Sequence, residues 1–336
     1  MHMSDALISP AVAGVMATAS TGLIAYSVYK TKDELEEKKI PLMGVMGAFV
    51  FAAQMINFTI PGTGSSGHIG GGLLLASILG PAPAFLVMST VLIIQALFFA
   101  DGGVLALGCN IFNMGFYGCM IAYPLIFKPI IKKGFSKGRI VLASILASVI
   151  GLQLGAFSVV IETLLSGKTE LPFTSFVLLM QPIHLAIGIG EGIITAGVLC
   201  FIHSARPEIL EYEVSGKKLG LSISLKKVTI TMVVLAALVG GVLSLYASSY
   251  PDGLEWSMGN IIGEKELQTE GKAYKKAENI QETTSFMPDY NFKNANEDSS
   301  IGTSAAGIVG GAITLIFAFL IGFIISKIKK NKTVMN

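Results

Sequence analysis

Histidine, cysteine and charge are all scarce in this chain. Four histidines and three cysteines occur in 336 residues, and only 14% of the residues are charged. Cys109, Cys119 and Cys200 stand apart inside apolar stretches with no C-x-x-C pair. That spacing indicates no disulfide framework and leaves them as small apolar packers. No G-x-x-x-x-G-K-S/T phosphate loop occurs, so the chain offers no ATP site, and the H-E-x-x-H of zinc proteases is missing as well. No Lys or Arg precedes Lys30 and Asp5 lies in that stretch. Both argue against a cleaved signal peptide, although VMATAS has the small residues cleavage prefers.

What is abundant is apolar sequence: 52% of residues are hydrophobic and the mean hydropathy is +0.68, well outside soluble composition. Nine apolar runs stand near 7–29, 40–58, 68–80, 82–100, 104–127, 140–165, 172–203, 228–248 and 304–326, where about 20 helical residues cross a bilayer. The third run is too short to span upright and ends at Gly80-Pro81, so it is expected to be a half-helix or to pack inside protein. The expected fold is an all-α polytopic membrane protein with about seven helices in one domain and two in a second. With the amino terminus outside, the segments 30–39, 128–139, 204–227 and 327–336 fall inside and hold 18 of the 24 Lys and Arg, as the positive-inside rule expects. The expected location is the cytoplasmic membrane.

The scarce histidines matter most where one stands at position 2. The Met1 amine, the His2 amide nitrogen and the His2 Nδ1 can close two fused chelate rings on one ion. Deprotonating an amide favours ions that form short bonds in a square plane, Ni²⁺ or Cu²⁺ first and Co²⁺ next. A fourth nitrogen is needed, and His68 in PGTGSSGHIGGG is the natural donor, since its glycines admit a second backbone. An exposed His2 and a plain loop His68 are the blander alternative.

MHMSDALISPAVAG, GTGSSGHIGGG and DGGVLALGCNIFNMGFYG (Asp101 to Gly118) together resemble the CbiM/NikM-type substrate-binding component of energy-coupling-factor transporters for nickel and cobalt. The resemblance implies that Met1, His2 and His68 bind the ion, and that a membrane coupling subunit and cytoplasmic ATPases supply the energy. After the charged linker 206–227, residues 228–336 resemble the two-helix CbiN/NikN-type accessory component, with SSYPDGLEWS supporting the match. Residues 1–205 then form the metal-binding domain.

Other polar residues are expected to serve this site. Gln54, Asn57, Ser65 and Ser66 are candidates to orient a ligating imidazole, and Gln95, Asn110 and Asn113 to line a cavity below it. Glu162 is expected to snorkel to water. Glu191 and His184 lie deeper, seven residues apart on one helix face, with His184 expected to be a bonded core residue. The acidic region 249–303 reads as a flexible, solvated outer loop, and KTKDELEEKK as a solvated loop. The expected function is capture of Ni²⁺ or Co²⁺ as transported substrate, nickel ahead of cobalt. A gradient-driven permease working alone is the alternative, and its proton relay would fall to Glu191 and His184. An enzyme is not expected, because no general base stands beside the ligands, nor is a nucleic-acid partner.

Overall fold

The computed structural model describes residues 1–34, 36–167, 171–216, 225–263, 267, 271–293 and 300–335. Residues 217–224 of the expected linker 206–227, and parts of the expected outer loop at 264–266, 268–270 and 294–299, lie outside them. The chain is a helical, multi-pass membrane protein. Among the described residues, seven helices are long and apolar enough to cross a bilayer. They are α1 (Pro10–Glu34), α4 (Pro81–Phe98), α5 (Leu107–Lys132), α6 (Lys137–Ser166), α7 (Phe173–Ala205), α9 (Lys226–Tyr246) and α12 (Ser300–Met335). Along α6, Leu142, Leu146, Ile150 and Leu154 are exposed at four-residue intervals, a stripe suited to lipid.

The two remaining apolar runs are short helices inside the bundle. The run 40–58 yields only α2, Ile40–Gln54. Beyond it, Phe58–Ile60 pairs with Ser65–Gly67 as strands β1 and β2, with Thr59 opposite Ser66. Pro61 and Gly62, the latter at φ +77°, supply the turn. The run 68–80 is the expected half-helix, α3 (Gly72–Leu79), joined to α4 through Gly80 at φ +90°. Both short helices are buried almost throughout. Gly44 and Gly47 of α2 lie against Leu315, Thr314 and Ala318 of α12, and α9 meets α12 where Gly240 touches Gly307. Small residues give the close approach that helix association in lipid depends on.

Two solvated loops of the sequence reading prove to be packed. Lys39, at the end of KTKDELEEKK, is buried against Glu213 of α8 (Pro207–Ser215). Its Nζ donates to Ile78 O at 3.0 Å and sits 4.1 Å from the Tyr212 ring centroid. The outer region folds into α10 (Gly253–Ile262) and α11 (Lys272–Thr284). Leu254 and Met258 bury there, and Gln281 Nε2 donates to Ala96 O at 2.9 Å and to Gly102 O at 2.8 Å. An acidic average composition concealed the few apolar and amide groups that dock it.

Candidate metal centre

The first residues do not trail into solvent. Met3 N donates to Asn110 Oδ1 at 2.8 Å, while Asn110 Nδ2 and Gly103 N donate to Met3 O at 3.1 and 2.9 Å. Asp5 Oδ1 accepts from Ala106 N at 2.9 Å. These bonds carry Met1 into the protein, where it is 5% exposed. The hairpin brings His68 to meet it, so that the Met1 amine lies 3.1 Å from His68 Nε2. The His2 and His68 rings stack with centroids 5.2 Å apart. Four nitrogens about 2.0 Å from one ion would place neighbours about 2.8 Å apart, close to the observed amine–imidazole separation. Among the described residues no three His, Cys, Asp or Glu side chains cluster as a metal site. An ion held here would need main-chain nitrogens.

The imidazoles are steered by partners other than those expected. His68 Nδ1 faces its neighbour's carbonyl, Ile69 O, at 3.0 Å, which leaves Nε2 to the amine. Gln54 instead fixes the loop, donating to Gly70 O at 2.8 Å. Ser66 binds the outer region, donating from N to Pro251 O at 2.8 Å and from Oγ to Tyr250 O at 2.7 Å, and Ser65 Oγ donates to Ser66 O at 3.1 Å. Asn57 enters through its carbonyl, which accepts from Ser248 N at 2.7 Å. His2 Nε2 does meet Gln95, at 3.2 Å, while Nδ1 lies 3.2 Å from Asp101 Oδ1. Asn113 Nδ2 donates to Glu162 Oε2 at 2.7 Å, and Glu162 is 5% exposed rather than snorkelling. The amide stabilises a carboxylate that the helix position alone would have sent to water.

Two acids were missed. Asp101 faces His2 and accepts a hydrogen bond from Tyr290 Oη. Asp252 receives the Met1 ammonium. Its spacing from Glu255 was the legible signal: Asp252 Oδ1 accepts from Leu254 N and Glu255 N, and Glu255 Oε2 accepts from Asp252 N, the reciprocal cap of a helix start. Nothing in sequence joins that cap to residue 1.

Below the amine is a cavity of about 30 Å³ whose lining includes Met1, His68, Ser148, His184, Glu191 and Asp252. His184 Nδ1 lies 2.8 Å from Met180 O, as expected of a bonded core histidine, while its Nε2 has no hydrogen-bond partner among the described residues. Glu191 accepts from Gly70 N and Gly71 N at 3.0 and 2.9 Å. Gly71 has φ +80°, a conformation that suits glycine, and this turn aims both N–H groups at the carboxylate. Glu191 therefore holds the His68 loop.

Electrostatics favour neutral rings. Burial pushes His2 below its ordinary pKa, although Asp101 opposes the shift. Burial and then the terminal ammonium push His68 well below the same value. Burial works against the Asp252 carboxylate, but the ammonium and His68 outweigh it and hold the acid far down. Neutral imidazoles keep lone pairs free for an ion.

Fold and pocket define a polytopic membrane protein with a buried nitrogen donor set at one end. The chain belongs to the CbiM family. Residues 2–209 match the model described as the cobalt uptake substrate-specific transmembrane region, and residues 226–327 match the PDGLE domain, whose letters are residues 251–255 here. Identity is 32% over 319 residues with a protein of Archaeoglobus fulgidus named as a fused nickel transport protein NikMN, covering 95% of this chain and 97% of that one. It is 37% over 212 residues with a Haloquadratum walsbyi protein named as a metal transport protein, covering 62% and 93%. A crystal structure described as a transition metal transporter aligns with TM-score 0.55 at 30% identity, over 65% of this chain and 100% of that one. The family comprises membrane metal-transport components, not enzymes.

Proposed function

We propose that this protein captures a divalent transition-metal ion for uptake, nickel ahead of cobalt, as the substrate-binding component of an ATP-driven transporter of the energy-coupling-factor type. The observation that carries the reading is the burial of the Met1 amine 3.1 Å from His68 Nε2, beside the His2 ring. In this reading the amine, the His2 amide, His2 Nδ1 and His68 Nε2 form a nitrogen plane around the substrate, and a planar nitrogen set suits Ni²⁺. The nickel named for the Archaeoglobus relative agrees with that order. His2 Nδ1 now faces Asp101, so chelation opens that contact. Asn110, through Met3, and Gln95, through His2, orient the donors.

The charge distribution supports an extracytoplasmic amino terminus in the cytoplasmic membrane. Residues 1–205 act as the binding domain and 228–336 as the accessory domain. A membrane coupling subunit and cytoplasmic ATPases would drive release, since the chain carries no phosphate loop. The gradient-driven alternative loses support because Glu191 is occupied by Gly70 N and Gly71 N.

The experiment compares nickel and cobalt binding, by calorimetry, in protein with a free Met1 amine and in protein extended by two residues before it. The extended form is expected to lose tight binding while keeping its thermal unfolding. Equal binding by both would remove the amine from the site.

A further inference from the structure

We infer that the accessory domain completes the ion site, with the Asp252 carboxylate seated at the amine ligand to hold it in place and to balance the charge of the loaded chelate. The inference rests on the proposed nitrogen site and goes beyond it by making the second domain part of the first domain's pocket.

Position is the first argument. Asp252 meets the Met1 amine, while His68 Nε2 approaches the same nitrogen at 3.1 Å. A chain-terminal amine has free torsions, and two partners from distant segments remove them. Asp252 is itself fixed. Its Oδ1 is occupied by Leu254 N at 2.8 Å and Glu255 N at 2.9 Å, which leaves Oδ2 for the amine. The same segment is fastened to the hairpin that carries His68: Ser66 N donates to Pro251 O at 2.8 Å, and Trp256 Nε1 donates to Thr63 O at 2.9 Å. Next to it, Gly253 lies flush on His184, where a Cβ would come within 2.9 Å of Cε1. Amine, imidazole and carboxylate thus move as one unit.

Charge is the second argument. On loading, the ammonium and the His2 amide each give a proton to the outer water, and nitrogen–metal bonds take their place. The ion brings two positive charges and the amide nitrogen one negative charge, so the chelate is a monocation. A buried monocation is costly without a counter-charge. Asp101 lies 3.2 Å from His2 Nδ1, a contact that chelation opens, is 24% exposed and is shared with Tyr290. Asp252, at 15% exposure, is the acid at the amine itself.

The test measures Ni²⁺ affinity in the full chain carrying Asp252→Asn, Asp252→Ser or Asp252→Glu, with His68→Ala alongside and thermal unfolding recorded for each. Asn and Ser keep a helix N-cap, so the serine variant carries the test should the asparagine variant not fold. The neutral variants are expected to bind about 10-fold or more weakly, the range found for groups that support metal ligands. Asp252→Glu recovers part of the loss. Wild-type affinity in Asp252→Asn with binding lost in His68→Ala would overturn the inference and leave the nitrogen site standing. Equal losses in Asp252→Asn and Asp252→Glu would assign the residue a role in shape alone and overturn it too. Unchanged binding in His68→Ala would bring down the nitrogen site and the inference together.

Discussion

Two buried ion pairs bracket α1 of this protein, and they are built to opposite ends. Before the helix, the Met1 ammonium meets Asp252; after it, Lys39 meets Glu213. Each joins segments far apart in sequence. The Lys39 ammonium has its donors spent on Glu213 and Ile78 O and lies against the Tyr212 ring. It is a closed arrangement that ties α3 and α8 to the start of α2. The Met1 ammonium is surrounded by an imidazole lone pair, a second histidine and a small cavity. A charge pair with nearby lone pairs left without other work is what the proposed binding site requires.

That contrast can be broken from either side. The largest expected effect is Lys39→Ala, which removes one side of a buried ion pair and should cost about 3–5 kcal/mol of stability. It should appear as a lower thermal midpoint in detergent with nickel affinity unchanged, and an affinity change would mean that the two ends are coupled. His68→Ala should do the reverse, losing binding by more than the 10–100-fold range of supporting residues while the midpoint stays put. Asp101→Asn, which leaves a partner for Tyr290 but removes the charge facing His2, should weaken nickel binding about 10-fold. An unaltered titration would limit Asp101 to holding the metal-free pose.

Acid gives the smallest and most graded effect. Burial lowers His2 and His68 from their ordinary value, so both rings stay neutral while the pH falls through about 6.5. Below that, an unfolded chain takes up these protons before the folded one does, and folding stability declines with falling pH. The depressed Asp252 acts in the same direction: its contribution is present above the ordinary carboxylate range and is lost as the pH falls through its lowered value. Nickel affinity should fall with acid, with the rings adding to the loss only below about pH 6.5. Full binding at about pH 4 would count against nitrogen ligation.

The membrane class was legible because apolar runs of spanning length have one physical solution, a helix with its backbone bonds closed. The proposed amino-terminal chelate could be read because amine, amide and imidazole belong to adjacent residues, so its geometry is local. His68 could be read because a histidine among glycines can sit against another backbone. Asp101 and Asp252 could not. Asp252 lies 251 positions from the amine it meets, and no local pattern carries across that distance. The same limit applied to Glu162, Lys39 and the 250–292 region. Their composition suggested exposure, while their fate turned on particular partners, Asn113, Glu213 and the Ala96 and Gly102 carbonyls. Sequence by itself determined the spanning helices and the adjacency of amine, amide and imidazole at the first two residues, which follow from neighbours along the chain. Tertiary structure alone decided which carboxylate faces the amine and which domain supplies it, because a buried charge takes its partner from whatever the fold places beside it.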